Sequence, residues 1–312
     1  MQAIFQQMLL LALFLLLGYG MRKLSLLPDN SASVLSQLEN RVLMPALIIQ
    51  TFMTRCTVEN LRAKGNLALY CAGLIAISIV LAYLISDRLS QNETVRVCYR
   101  YSLVVPNFAF MGNAVVLGVF GQDVLFDYMI FTIPLNLFAY SIGIGWLIPK
   151  PKLAQGYEKK RKIRIDWNSF ANPIFCSLLI GLVLGLTQIQ LPAFLKSGIE
   201  SAGSCMSPIA MLLTGFVIGS YSFRSLLLRP AVYVMTALRL LLLPIGAILL
   251  LKGLHAPAEA LRCTICAFAM PMGLNTIIIP AAYGGDTKVG ASMALVSHAL
   301  SVITIPVLMN YL

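Results

Sequence analysis

The sequence predicts an all-α polytopic membrane protein, and three observations lead to this fold class. Hydrophobic residues make up 59% of the 312 positions and charged residues only 11%, with a mean hydropathy of +0.84, whereas a soluble domain is about half apolar and a quarter charged. The apolar residues form blocks of roughly 20, the length of a membrane-spanning helix. The blocks lack the two-residue alternation of barrel strands, and a bilayer admits only helices and closed barrels.

We predict ten membrane spans, separated by short hydrophilic loops. They cover about residues 3–21, 34–54, 66–86, 96–119, 124–148, 168–187, 198–221, 231–252, 259–282 and 288–311. The second span begins with Gln37, Glu39 and Arg41. We therefore expect its first turns to lie at the membrane interface or to face other helices.

The loop charges predict the orientation. The predicted inner loops carry fifteen Lys and Arg residues and the outer loops carry six, a positive-inside bias. Both termini are therefore expected to be extracytoplasmic, with the basic loop 150–167 on the cytoplasmic side of a cell (inner) membrane. Because the net charge of +11 resides in these loops, it indicates orientation rather than nucleic-acid binding. The first apolar segment has no basic n-region and no cleavage site, so we expect an uncleaved span.

The chain divides into two similar halves. Loop 150–167 separates an N-terminal five-helix repeat, 1–149, from a C-terminal one, 168–312. Three pairs of landmarks are separated by the same distance along the chain, which we call the repeat offset: Gly18 and Gly181, Pro45 and Pro208, Asp123 and Asp286. An odd number of spans per repeat inverts the second copy in the membrane, and inverted repeats are a transporter architecture.

Spans four and nine are each predicted to break near their middle. Both combine a proline, a glycine and an amide: Pro106, Asn107 and Gly112 in one, and Pro271, Gly273 and Asn275 in the other. Proline removes a helix hydrogen bond and glycine loosens the backbone. The N–H groups at the start of the second half-helix then form an anion site. We predict that the two broken helices cross at the binding site.

Further polar side chains lie at a similar predicted depth. The substrate-binding candidates are Asn107, Asn113, Asn136, Asn275, Thr276 and Ser297. Two helical stripes contain some of them: Thr132, Asn136 and Tyr140, and Ser297, Ser301 and Thr304. The stripes are compatible both with a cavity lining and with hydrogen bonds between helices.

Two ionisable residues lie within predicted spans. His298 lies ~15 Å into the last span, near the midplane, where an ionisable group suggests a functional role such as ion coupling. Arg239 could balance a substrate carboxylate or extend to the cytoplasmic interface, and we favour the interface.

Several chemistries are not expected. No Asp or Glu lies deep in a predicted span, and Asp123 and Asp286 are interpreted as helix N-caps. A carboxylate proton relay or sodium site is therefore not expected. Cys263 and Cys266 form a CxxC without a second pair, so we interpret them as buried thiols. The sequence suggests no catalytic residue, metal site or cofactor.

The motifs resemble the auxin efflux carrier family, in particular its bacterial malonate- and malate-permease-like members, which are related to the plant PIN-type auxin carriers. The segments that carry the resemblance are Asn107–Gly112, Pro271–Asn275 with Tyr283–Asp286, Ser297–Pro306, Val42–Ala46 and Arg239–Pro244. Ala109 and Ala114 replace a glycine and a proline common in the family, and His298 replaces a Thr or Ser.

The resemblance implies a secondary transporter of a small organic anion, a mono- or dicarboxylate. It implies a dimerising scaffold of spans 1, 2, 6 and 7, and a transport domain of spans 3–5 and 8–10 that moves like an elevator. It places Asn107 and Asn275 first among the binding residues.

Other interpretations remain open. One is a related inverted-repeat carrier of the bile-acid or arsenite type, against which the span-four motif argues. Another is a non-transporting membrane sensor, which would typically add a soluble signalling domain. An intramembrane enzyme would need a paired nucleophile and base or a metal, and the chain has only His255 and His298 as histidines.

Overall fold

The computed structural model describes residues 2–147, 173–227, 229–282 and 286–310. Within these ranges the protein is helical and contains no β-strand, so the all-α part of the prediction is confirmed. The predicted basic loop 150–167 lies outside the described residues.

Six helical stretches in the described part are long and apolar enough to cross a membrane: Phe5–Lys23, Val58–Leu89, Phe108–Phe131, Ala193–Gly219, Pro230–Gly253 and Lys288–Met309. Two shorter apolar stretches are Ile133–Leu147 and Pro173–Thr187. Length and composition thus indicate an integral multi-pass membrane protein.

The first half contains nine α-helices in its described residues. They are α1 (Gln2–Lys23), α2 (Ser31–Leu38), α3 (Met44–Arg55), α4 (Val58–Lys64), α5 (Leu67–Leu89), α6 (Glu93–Val104), α7 (Asn113–Phe131), α8 (Ile133–Phe138) and α9 (Ile144–Leu147). π-Helical turns join three pairs of neighbours: Glu39–Leu43, Phe108–Gly112 and Ala139–Gly143. Inside α7, Gly121 has a φ of 78°, which bends the chain where predicted span four ends.

The described part of the second half is likewise built from short and long α-helices. Its helices are α10 (Pro173–Thr187), α11 (Ala193–Ser204), α12 (Met206–Gly219), α13 (Phe223–Leu227), α14 (Pro230–Ala237), α15 (Leu243–Gly253), α16 (Ala258–Phe268), α17 (Asn275–Ala282) and α18 (Lys288–Met309). A π-helical turn, Leu238–Leu242, joins α14 to α15.

Local chemistry accounts for many of these boundaries. The side chains of Thr57 and Asn92 accept hydrogen bonds from the N–H groups of Asn60 and Val95 at the starts of α4 and α6, which satisfies donors that a helix start leaves free. Prolines occupy the first turns of α8 and α14, where a missing N–H costs nothing. Pro45 and Pro244 come directly after π-helical turns, at the starts of α3 and α15.

Glycine brings two pairs of helices into close contact. α1 packs along α12, and a Cβ on Gly18 or Gly215 would overlap the backbone of the opposite helix. α3 packs along α10, and a Cβ on Gly185 would lie 2.7 Å from the carbonyl oxygen of Cys56. In a membrane the hydrophobic effect does not drive helices together, because lipid tails are as apolar as the side chains. Small residues at helix interfaces allow the close backbone packing that stabilises such contacts instead.

Candidate functional site

Helices α6 and α16 end shortly before two prolines, and each is followed by a second helical segment. α6 ends at Val104, and helix resumes with the π-helical turn from Phe108 into α7. α16 ends at Phe268, and α17 begins at Asn275. We call the segments 105–107 and 269–274 the first and second break.

The two breaks hydrogen-bond to each other. The N–H of Asn107 donates to the carbonyl of Pro271 at 2.7 Å, and Pro106 and Met272 form an isolated antiparallel bridge. A Cβ on Gly273 would lie 3.2 Å from the carbonyl oxygen of Pro106. Backbone groups freed from two helices thus find partners in each other, as buried backbone must.

Asn107 connects the first break to α18. Its Nδ2 lies 3.0 Å from Nε2 of His298, and its Oδ1 accepts from the N–H of Met111 at 3.4 Å. His298 Nδ1 lies 2.8 Å from the carbonyl of Ala294. A carbonyl can only accept, so Nδ1 carries the proton and Nε2 of the neutral ring accepts from Asn107. The sequence placed both residues at similar depth but did not pair them.

The second break is held by its own set of polar contacts. Asn275 Nδ2 donates to the hydroxyl of Tyr101 at 2.8 Å, and the hydroxyl of Thr276 donates to the carbonyl of Gly273 at 2.9 Å. The N–H of Met272 donates to Oγ of Ser297 at 3.1 Å. Ser297 therefore accepts a hydrogen bond from the backbone of the second break.

Asn113 and Asn136 line a cavity of about 70 Å³, which we call the first cavity. α3 and α10 form one wall, and the π-helical turn after the first break, α7 and α8 form the other. Its polar lining residues are Asn113, Thr132, Asn136 and Ser141, and Met44, Ile48, Phe108, Phe175 and other apolar side chains complete it. Asn113 Nδ2 lies 3.5 Å from the sulfur of Met44. The side chain of Tyr140 lies outside the described part.

A second cavity has a volume of about 330 Å³. α1, α12 and α18 line it with apolar side chains, together with Met111 of the π-helical turn, Tyr19 and His298. Phe108 and Ala109 of the π-helical turn line the first cavity, and Met111 of the same turn lines the second. Among the described residues, no Asp, Glu, Lys or Arg lines either of them.

Gly112 allows a tyrosine to reach the π-helical turn that follows the first break. A Cβ on Gly112 would overlap the hydroxyl of Tyr128, which donates to the carbonyl of Phe108 at 2.8 Å. The glycine in this motif therefore makes room for a hydrogen bond that supports the π-helical turn.

The expectation that Arg239 extends to the membrane interface is wrong. Its side chain is fully buried. It donates to the carbonyls of Leu103 and Phe268 at 2.9 Å and of Met270 at 3.3 Å. The π-helical turn that contains it turns the side chain inward, toward helix ends whose carbonyls need donors.

Glu39 is a buried carboxyl group that the sequence analysis did not include among the site candidates. It is fully buried in the π-helical turn between α2 and α3, and neither carboxyl oxygen has a hydrogen-bond partner among the described residues. The neighbouring Gln37 is exposed. From the polar start of the second predicted span we expected a position at the membrane interface or facing other helices. Glu39 is buried and faces other helices.

Replacing Glu39 by methionine is expected to raise thermal stability in detergent. The change removes two unpaired oxygens at nearly constant shape, and an unsatisfied buried polar group costs about 1–3 kcal/mol. Gln37→Met, two residues away and exposed, is the matched control and should leave the melting temperature unchanged. A lower melting temperature for Glu39→Met than for the parent would contradict the assignment of Glu39 as an unpaired buried group.

Comparisons with known proteins cover nearly the whole chain. A family model described as membrane transport protein matches residues 3–309. The chain belongs to the auxin efflux carrier family. It is also similar to proteins named uncharacterized transporter YfdV in Escherichia coli strain K12, E. coli O157:H7 and Shigella flexneri, with 22% identity over 94% of this chain and 92% of theirs. The carriers of this family are membrane transporters, so the chain is a transport protein.

Proposed function

We propose that this auxin efflux carrier family member is a secondary transporter of a small organic anion, a mono- or dicarboxylate of the auxin or malonate and malate type. The observation that carries the proposal is the pair of helix breaks that hydrogen-bond to each other through Asn107 and Pro271. Discontinuous helices of this kind hold the substrate in secondary transporters, with half-helix N-termini directed at anionic groups.

The electrostatics of the site favour an anion held without a direct cationic ligand. The helical segments that start at Phe108 and Asn275 direct their N-terminal N–H groups toward the breaks, and each helix N-terminus carries about half a positive charge. Arg239 is bound to three carbonyls and lines neither cavity. Amide, hydroxyl and backbone N–H groups are therefore the donors that we propose for the carboxylate.

A ten-span arrangement of two inverted repeats forms part of the proposal, and three further matches at the repeat offset support it. Helices α5 and α14 begin at Leu67 and Pro230, which are separated by that offset. Ser25 and Gln188 are separated by it too, and both have a φ of 52°. The two cavities also correspond: Ile48, Thr132, Asn136 and Ile174 line the first, and their counterparts Met211, Leu295, Ala299 and Leu11 line the second.

We further propose an elevator-type movement. The first cavity separates α3 and α10, which belong to the proposed scaffold of spans 1, 2, 6 and 7, from α7 and α8 of the proposed transport domain, spans 3–5 and 8–10. A cavity along that boundary is where an elevator substrate site would open. We also propose a homodimer through the scaffold, which the resemblance to the family implies.

Uptake into proteoliposomes tests the function. Radiolabelled malonate, malate and indole-3-acetate would be offered to the purified protein, with and without a pH gradient, and empty liposomes would serve as the blank. We expect saturable uptake of at least one anion. Uptake of none of them, with a bile acid or arsenite transported instead, would favour the related carrier type; no transport of any probe would favour a membrane sensor.

His298 is proposed as the coupling residue. Protonation of Nε2 would turn an acceptor into a donor, so the amide of Asn107 would have to rotate and release the N–H of Met111. Among the titratable groups of helices packed on α18, Tyr19 lines the same cavity, Tyr101 is bonded to Asn275, and Arg239 is bonded to carbonyls. Anion binding and proton binding would then occur together at the first break.

His298→Gln is expected to flatten the dependence of uptake on pH, because the proton bound at His298 is the proposed coupling step and glutamine cannot bind it. Initial uptake rates from acidic to neutral pH provide the measurement. Glutamine offers an oxygen acceptor to Asn107 but does not titrate. The exposed His255→Gln is the matched control and should keep the parental profile. A parental profile that is already flat would eliminate proton coupling through His298.

A further inference from the structure

The guanidinium of Arg239 joins the C-terminal ends of both broken helices. Leu103 lies in the last turn of α6, and Phe268 is the last residue of α16. Their carbonyls are among those that a helix end leaves without partners. Arg239 donates to both at 2.9 Å, and also to the carbonyl of Met270 in the second break at 3.3 Å.

The charges at this junction nearly cancel. Each helix C-terminus carries roughly half a negative charge, so two of them match the single positive charge of the guanidinium. After the first break, the described residues that line the two cavities include no Asp or Glu that could offset the N-terminal end of the next helical segment. We therefore expect the electrostatic field that remains beside the breaks to be positive.

We propose that Arg239 sets the charge preference of the transport site without touching the transported anion. This inference rests on the proposed function. Arg239 is a positioning residue: it neutralises two helix ends that would otherwise repel an anion, and it fixes those ends side by side. Its fully buried side chain is occupied by the protein's own carbonyls.

The proposal separates the effect of charge from that of shape. Arg239→Met removes the charge and leaves the negative helix ends unopposed, whereas Arg239→Lys keeps the charge with fewer donors in a less rigid arrangement. Thr236→Val, one helical turn earlier, is the matched control, because Thr236 is buried and its hydroxyl has no partner among the described residues.

Uptake of indole-3-acetate and of its uncharged amide into proteoliposomes provides the first measurement, or malonate and malonamide if malonate is the better substrate of the parent. We expect Arg239→Met to raise KM for the anion at least tenfold and KM for the amide much less. Arg239→Lys should fall between Arg239→Met and the parent, and Thr236→Val should match the parent. Parental KM in Arg239→Met, or equal loss for anion and amide, would overturn the inference.

Cysteine labelling provides a second measurement that needs no substrate. Cys266 is fully buried in the last turn of α16, and Cys71 is fully buried in α5. In single-cysteine backgrounds, Arg239→Met should make Cys266 react with a water-soluble maleimide while Cys71 stays protected. Protection of both cysteines would contradict the positioning role. Reaction of both would contradict it as well, because the effect would then be a general loss of fold.

The two proposals fail in different ways. If the parent takes up none of the three anions, the proposed function fails and this inference fails with it. If the parent takes up an anion and Arg239→Met does so with the same KM, the inference alone is wrong.

Discussion

Asn107→Ala is expected to reduce anion uptake by about 100-fold. The substitution leaves the bond between the two breaks, which uses the backbone, but removes both side-chain bonds. Nε2 of His298 and the N–H of Met111 then lose their partners in a buried region. Each unsatisfied buried group costs about 1–3 kcal/mol, and a total near 3 kcal/mol corresponds to about two powers of ten in a rate.

Asn107→Asp tests which of the two bonds matters. The carboxylate can still accept from Met111 but cannot donate to His298, and it places a negative charge beside an anion. We therefore expect a loss as large as that of Asn107→Ala. Asn107→Ala combined with Asn275→Ala should abolish uptake. Initial rates in proteoliposomes provide the measurement.

The matched control is Asn66→Ala. Asn66 is exposed at the start of α5 and its side chain makes no capping bond. It should transport like the parent. Uptake at parental rate in the Asn107 and Asn275 double variant, with folded protein in equal yield, would eliminate the breaks as the binding site.

Gly215→Ala is expected to destabilise the protein strongly, although it adds a single methyl group. A Cβ on Gly215 would overlap the carbonyl oxygen of Leu15 on α1. Both elements are regular helices, so the overlap can only be relieved by moving α1 away from α12. Overpacking typically costs about 1–3 kcal/mol and occasionally more, and clashes with backbone belong at the upper end. Thermal unfolding in detergent, followed by size-exclusion chromatography, provides the measurement.

Gly246→Ala is the control for this prediction. Gly246 lies in α15, and a Cβ there would meet nothing within 4 Å. Alanine favours helix by up to about 1 kcal/mol over glycine in soluble helices, so the melting temperature should stay equal or rise. Equal melting temperatures for Gly215→Ala and the parent would show that α1 and α12 are not packed as closely as described.

The helix breaks could be predicted from the sequence because their cause is local. Pro106 and Pro271 lack an N–H wherever they are placed, and the adjacent glycines loosen the same segments. The bond between Asn107 and Pro271 could not be predicted residue by residue, because it depends on how two helices distant in the chain cross. The sequence only indicated that matching positions in two repeats should meet.

The candidate residues illustrate the same division. Polarity at membrane depth singled out Asn107, Asn113, Asn275 and His298, but helical spacing could not tell a cavity wall from an internal contact. The structure assigns Asn113 to the first cavity and pairs Asn107 with His298. That assignment depends on how each helix is rotated about its axis, and the π-helical turns change that rotation within a single helix.

Composition, together with the length of the apolar blocks and their lack of two-residue alternation, was enough to predict a helical membrane protein. The reason is that a bilayer admits only helices and closed barrels. Local chemistry alone placed the breaks. Only the tertiary structure decided the environment of two ionisable side chains. For Glu39 the sequence left an interfacial and a helix-facing position open, and for Arg239 it favoured the interface, whereas both are fully buried. Their neighbours in the sequence do not reveal which other helices surround them. Packing across the whole fold determines the surroundings of an ionisable side chain. It can face water, it can be buried without a partner among the described residues as Glu39 is, or it can bind the carbonyls of other helices as Arg239 does.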